Sequence, residues 1–147
     1  MKKAIVLSFL CWWGLSVLAA QTAAEMETLL ETPAVTYAQA ARFVLEASDA
    51  AKIADPAEAF LFAAERNWLS KKTAPENEAR LDEVSLLLMR SFNLKGGLFY
   101  SMAHNPHYAY REMVYQAAIQ GKVDPHMSVS GFQLIFMTNR ILSFLEQ

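Results

Sequence analysis

Length, composition and charge place this chain among single-domain globular proteins. It has 147 residues, of which 54% are hydrophobic and 19% are charged, with five glycines and five prolines. This composition is too apolar for a disordered chain and too poor in Gly and Pro for a fibrous one. The formal net charge of −2 provides no broad basic surface for phosphates, so we expect no nucleic-acid partner.

The N-terminus has the three parts of a secretory signal peptide. Lys2 and Lys3 precede an apolar stretch from Ala4 to Ala20, and small residues cluster at the end of that stretch. We expect cleavage near Ala20, which divides the chain into a signal peptide at 1–20, an N-terminal lead at 21–34 and a single helical domain at 35–147. The expected location is the periplasm or the cell envelope.

A membrane anchor and a lipoprotein are the alternatives to cleavage. The stretch from Ala4 to Ala20 is 17 residues long, at the lower limit for spanning a bilayer. Lipidation at Cys11 would need a small residue before it, where Leu10 stands. Cleavage would leave 127 residues with a formal charge of −4 and without the only cysteine, so we expect no disulfide and no thiolate chemistry.

Five segments of the mature chain space their apolar residues at three- and four-residue intervals, which is typical of amphipathic helices. Asp55-Pro56 and Asn105-Pro106 each place a capping residue before a proline, and so predict two helix starts. Gly96-Gly97 and Gly121 are predicted to end the third and fourth helices. For the first four helices, in chain order, the predicted inward positions are Ala40, Phe43, Val44 and Ala47; Ala57, Phe60, Leu61, Ala64 and Trp68; Leu81, Val84, Leu88 and Phe92; and Tyr110, Met113, Val114 and Ala117.

The fifth segment, from about Gly131 to Leu145, is apolar on nearly every side. Such a helix is normally either central and buried, or half buried and half in an interface. No segment shows the sustained alternation of a half-buried strand. The predicted fold is therefore all-α, with about five helices.

Three of these helices begin with similar nine-residue strings, at 36–44, 79–87 and 130–138. The strings start 43 and 51 residues apart, and one further helix lies between each pair. The predicted order is helix A, helix B, A, B, A, which is the pattern of an internal repeat.

The second string, with Arg80 and Asp82, resembles the Thr-Arg-Ala-Glu-like start of repeats in the S-layer homology family. The segment 107–110, His-Tyr-Ala-Tyr, is similar to the start of that family's helix B, and 121–123, Gly-Lys-Val, to its end. The resemblance extends from about Val35 to Leu145. It implies a non-catalytic module that binds cell-wall polysaccharide in grooves between repeats, with Arg80 and Asp82 as ligand contacts.

The first and third strings depart from the family pattern. Tyr37 and Gly131 stand at the Arg position, and Gln39 and Gln133 stand at the acidic position. These strings also fit a purely structural role, because Thr or Ser followed three residues later by Gln forms a capping box at a helix start.

An aromatic cluster surrounds the start of the fourth helix: Phe99, Tyr100, Tyr108, Tyr110 and Tyr115. Such rings suit sugars or the side chains of a protein partner, and we take Tyr108 and Tyr110 as candidate ligand contacts. The alternative interpretation places Tyr110 and Phe99 in the core and Tyr108 and Tyr115 at its margin.

The sequence carries no catalytic motif. The best metal-binding candidates, His104, His107, Asp124 and His126, lack the spacing of a complete ligand set and are expected to be exposed loop residues. There is no Gly-x-Ser-x-Gly nucleophile motif, and Gly96-Gly97 lacks the Lys of a phosphate loop. We therefore expect neither an enzyme nor a cofactor, although a metal-dependent hydrolase using the histidine loops is a third hypothesis.

Two functions remain as the main hypotheses. The first is an exported module that binds envelope polysaccharide, peptidoglycan or an envelope protein. The second is a small periplasmic adaptor or chaperone-like protein that binds other proteins through the apolar fifth helix and the aromatic loop. Excess apolar surface, or a homo-oligomer formed through the C-terminal helix, would favour the second hypothesis.

Overall fold

The computed structural model describes residues 22–147, so the predicted signal peptide and Cys11 lie outside the described residues. Within 22–147 the regular structure is entirely helical, which confirms the all-α prediction. Residues 22–31 are helical and are named α1. The other six helices are α2 (Tyr37–Ala47), α3 (Pro56–Glu65), α4 (Leu81–Ser91), α5 (Leu98–Ala103), α6 (Pro106–Tyr115) and α7 (Gly131–Leu145).

Four of the five predicted helix starts have a local side-chain cap in the structure; the start of α4 at Arg80 has none. Thr36 and Ser130 form complete capping boxes with Gln39 and Gln133 at the starts of α2 and α7. Asp55 and Asn105 cap α3 and α6 with their side chains, and each is followed by a proline at the first helical position.

Two helical hairpins, α2–α3 and α4–α6, form the body of the protein, and α2 also contacts α4 and α7. Helix α4 is central, because every residue from 81 to 89 is buried. This burial includes the polar residues Asp82, Glu83 and Ser85. Helix α7, by contrast, buries one face through Leu134, Met137, Thr138 and Ile141 and exposes the other. Helix α7, although its sequence is apolar on nearly every side, is therefore half exposed.

A closed ring of backbone hydrogen bonds joins the starts of α2, α4 and α7. The N–H of Val35 donates to the carbonyl of Val129 (2.8 Å), that of Val129 to Ala79 (2.9 Å), and that of Ala79 to Val35 (2.8 Å). All three residues are fully buried, so the ring satisfies backbone groups that would otherwise be costly to bury. The same ring brings three helix N-termini together.

The ring corrects the register of the predicted repeats. The residues that follow it are the N-caps Thr36, Arg80 and Ser130, which lie 44 and 50 residues apart. The alignment that paired Thr36 with Ala79 is therefore wrong by one residue. In the corrected register Arg80 corresponds to the capping Thr and Ser, and Glu83 corresponds to Gln39 and Gln133.

The predicted helix ends differ from the structure. Helix α4 ends at Ser91, and Asn93 turns the chain with a φ of 50°, well before Gly96. Helix α6 ends at Tyr115, and Ala117 has a φ of 58°. Val114 and Ala117 are therefore exposed, not inward as predicted. These ends use left-handed residues other than glycine, for which the sequence offers only a weak signal.

Two helices were not predicted. Helix α1 occupies most of the predicted N-terminal lead, and α5 lies inside the predicted loop before α6. Helix α1 crosses the start of α7 so closely that the N–H of Gly131 donates to the carbonyl of Thr32 at 2.9 Å. Within residues 22–147, no helix combines the length and the apolar character needed to cross a membrane.

Candidate functional site

A polar cluster lies at the start of α4, beside the backbone ring, and consists of Tyr37, Arg80, Asp82 and His126. Arg80 Nη2 donates to Asp82 Oδ2 at 2.7 Å and also contacts His126 Nδ1. His126 Nδ1 lies 3.3 Å from the same Asp82 oxygen. The backbone N–H of Arg80 donates to Tyr37 Oη at 3.3 Å. We call this group the Arg80 cluster.

The Arg80 cluster has a buried acid and an exposed basic side. The Asp82 side chain is 7% exposed, whereas those of Arg80 and His126 are 44% and 66% exposed. The hydrogen bond to Asp82 raises the pKa of Arg80, so the guanidinium is always charged. Burial raises the pKa of Tyr37, so its phenol stays neutral. A ligand in solvent would therefore meet a guanidinium and an imidazole.

The loop before α7 places His126 at this site. The N–H of Leu81 donates to the carbonyl of Met127, and the N–H of Asp82 donates to that of Pro125, so the loop closes onto the first turn of α4. The N–H of His126 donates to Asp124 Oδ1 at 2.9 Å, which fixes the turn. A free helix N-terminus is thereby paired with a loop 45 residues further along the chain.

The structure brings the predicted contacts Arg80 and Asp82 together, and adds two residues that the sequence did not assign to them. Tyr37 stood at the position where the family pattern has Arg, and His126 was grouped with the other histidines. The sequence does contain one signal for His126. Pro75 and Pro125 lie 50 residues apart, and so do the starts of α4 and α7. The loop that carries His126 therefore precedes α7 in the same way as the loop that contains Pro75 precedes α4.

The other two predicted contacts, Tyr108 and Tyr110, lie on α6 and bond to residues other than those of the Arg80 cluster. Tyr108 stacks on Phe99, with ring centroids 5.7 Å apart. Tyr110 donates its hydroxyl to the carbonyl of Val123 at 2.5 Å, a contact that fixes the following loop. Phe99 is exposed and Tyr100 is buried, so the alternative that put Phe99 in the core is wrong.

The histidine loops do not form a metal centre in the part of the chain that the structure describes. No group of three or more His, Cys, Asp or Glu side chains in residues 22–147 is arranged to hold a metal ion. His104 packs edge-on against Tyr100, and His107 packs against Tyr108. His126 instead belongs to the Arg80 cluster.

A cavity of about 600 Å³ lies between α1, α2 and α7. Apolar side chains form much of its wall, among them Met26, Leu29, Phe43 and Leu142. Arg42 stands beside them and pairs with Glu25 through Nη2 at 2.6 Å. The volume lies within the range of small-molecule sites, and the wall would accept an apolar group.

Comparison of the chain with protein-family models, curated proteins and solved structures gave no match.

Proposed function

We propose that this protein is an exported, non-catalytic module that binds a polymer of the cell envelope, either polysaccharide or peptidoglycan. The observation that carries the proposal is the Arg80 cluster, in which a guanidinium and an imidazole reach solvent where three helix starts converge. Export rests on the signal sequence at 1–20.

The chemistry of the Arg80 cluster suits carboxylate and hydroxyl groups. Arg80 uses Nη2 on Asp82 and His126, which leaves guanidinium donors for a carboxylate or a sugar hydroxyl. Asp82 holds the guanidinium in place before a ligand arrives, so little side-chain entropy is lost on binding. Envelope polymers present carboxylates and hydroxyls repeatedly, so one polymer chain offers this single site many equivalent places to bind.

The predicted internal repeats are a second argument for this proposal. The ring unites three equivalent helix starts, as expected for a repeat domain resembling the S-layer homology family. In the corrected register, however, Arg80 stands at the capping position and not at the family's Arg position. Ala38 and Phe132 replace Asp82 in the other two repeats. The proposed module therefore has one charged site.

Binding to envelope polymers can be measured by co-sedimentation of the exported protein with purified peptidoglycan and with envelope polysaccharide. We expect wild-type protein to pellet with at least one polymer, and His126→Gln and Arg80→Gln to lower the apparent affinity by about tenfold, the value of one charged hydrogen bond. His126 is largely exposed, so its variant should retain the wild-type Tm.

Arg66→Gln is the matched control, because Arg66 is an exposed arginine whose guanidinium stacks on Phe62 and not on a residue of the cluster. Its pelleting should equal that of wild type. Absence of pelleting with both polymers would refute the proposal. Unchanged binding by a folded His126→Gln variant would refute the Arg80 cluster as the site.

A second candidate function, a protein-binding adaptor, is favoured by the exposed face of α7. Phe132, Phe136, Phe144 and Leu145 are all exposed there, and Arg140 lies against the rings of Phe136 and Phe144. Contiguous exposed apolar side chains of this kind mark interaction surfaces. A second copy of the chain is the simplest partner, since one helix face can pair with itself about a two-fold axis.

The adaptor candidate predicts a concentration-dependent dimer. Light scattering coupled to size exclusion should give a dimer mass at high protein concentration, and Phe132→Ser with Leu145→Ser should give a monomer. Leu98→Ser is the control, because Leu98 is at least as exposed as Phe132 and Leu145 but lies on α5. A monomer mass for the wild-type protein at every concentration would exclude this self-association.

A further inference from the structure

The hairpin α4–α6 carries an extension that the hairpin α2–α3 lacks. Eight residues, 48–55, separate α2 from α3, whereas fourteen, 92–105, separate α4 from α6. The longer connection contains α5, which has six residues. Three of them are large apolar side chains directed to solvent: Leu98 is 71% exposed, Phe99 64% and Met102 77%.

The orientation of α5 is fixed by contacts on its other side. Tyr100 is buried and anchors the helix to the core. The N–H of Gly97 donates to Glu112 Oε1 at 2.9 Å, and Gln116 Nε2 donates to the carbonyl of Lys95 at 3.0 Å. Single exposed apolar residues are common on protein surfaces. Here one short helix exposes three of them together, so they are not isolated surface residues of that common kind.

The chain on either side of α5 is rich in positive charge. No aspartate or glutamate occurs between Glu83 and Glu112, whereas Arg90, Lys95 and Arg111 lie in that interval. The first carboxylate that follows, Glu112, already accepts the hydrogen bond from Gly97. This local excess of positive charge contrasts with the whole chain, whose formal net charge is −2.

We propose that α5 docks on an anionic phospholipid bilayer. Leu98, Phe99 and Met102 would enter the boundary between headgroups and acyl chains, while Lys95 and Arg111 would contact lipid phosphates. This combination of a short apolar surface with flanking cations is the chemistry of peripheral membrane binding. A protein partner would not require the absence of carboxylates along 84–111, and we therefore favour the lipid surface.

The position of α5 leaves the Arg80 cluster free. The cluster lies at the N-terminal end of α4, and α5 follows its C-terminal end. An 11-residue helix is about 16 Å long, so the two sites are at different ends of the domain. Membrane docking therefore does not depend on polymer binding, and the two can be tested separately.

The test is sedimentation of the exported protein with vesicles of phosphatidylcholine alone and of phosphatidylcholine mixed with phosphatidylglycerol. We expect pelleting with the mixed vesicles and little with the neutral ones. The double variant Leu98→Ser, Met102→Ser and the single variant Lys95→Glu should each weaken partition by about tenfold or more. All these side chains are exposed, so the unfolding temperature should stay at the wild-type value.

Leu61→Ser is the matched control, because Leu61 is 56% exposed but lies on α3. It should bind mixed vesicles as wild type does. The proposal is overturned if wild-type protein does not pellet with mixed vesicles, if neutral vesicles bind it equally well, or if the folded double variant retains wild-type partition. It is also overturned if Leu61→Ser loses binding to the same extent as the α5 variants.

Discussion

Gly131→Ala is expected to lower the free energy of unfolding by about 3 kcal/mol, the upper part of the usual cost of overpacking. A Cβ built on Gly131 would lie 1.6 Å from the carbonyl oxygen of Leu29 and 2.6 Å from its carbonyl carbon. Backbone atoms of α1 cannot rotate away as a side chain can, so α1 and α7 must separate. The same separation would break the hydrogen bond from Gly131 to Thr32.

Thermal unfolding followed by circular dichroism measures this effect, and we expect Tm to fall by about 10 °C. Limited proteolysis should also cut more rapidly between α1 and α2. Gly97→Ala is the matched control, because its Cβ would meet only the Glu112 carboxylate, at 2.9 Å, and that side chain can move. Equal Tm values for Gly131→Ala and wild type would show that α1 does not cross α7 as described.

Glu83→Ala is the second substitution with a large expected effect, again about 3 kcal/mol. Glu83 is 7% exposed and accepts two hydrogen bonds from Ser70, from the backbone N–H at 3.0 Å and from the hydroxyl at 2.5 Å. Hydrogen bonds to a charged group are stronger than neutral ones, and their loss leaves donors without a partner. The loop after α3 would lose its attachment to α4.

Glu83→Gln should cost about 1 kcal/mol, because the amide oxygen can still accept one of the two hydrogen bonds. Glu58→Ala is the control: Glu58 is also the third residue of its helix, α3, but it is exposed, so the change should stay within about 0.5 kcal/mol. Urea unfolding provides the free energies. A cost for Glu83→Ala no larger than that for Glu58→Ala would contradict the role of the Ser70 contacts.

Helix starts could be predicted because their signals are local. The capping boxes at Thr36 and Ser130 and the proline after Asp55 act within three residues of the cap. Helix ends were predicted less well, because Asn93 and Ala117 adopt left-handed conformations that glycine was expected to supply. Their helices therefore end earlier than Gly96 and Gly121 indicated.

The candidate site shows the same division between local and distant interactions. The pair Arg80 and Asp82 was found because the two residues are neighbours in a recognisable string. Tyr37 and His126 were not linked to them, since they lie 43 and 46 residues away in the chain. The resemblance to a repeat family also misplaced the second string by one residue, because Ala79-Arg80-Leu81-Asp82 fits the family pattern better than the true start does.

The sequence by itself determined the all-α class and the main helix starts, because caps and periodicity depend on residues a few positions apart. It did not settle the inward faces, since Leu61 and Val114 are exposed. Only the tertiary structure decided that α4 is central while the more apolar α7 is half exposed. It also decided that Gly131 lies under α1, and that Arg80 meets His126. The physical reason is that burial and long-range hydrogen bonds depend on which elements pack together, and the ring of Val35, Ala79 and Val129 sets that packing.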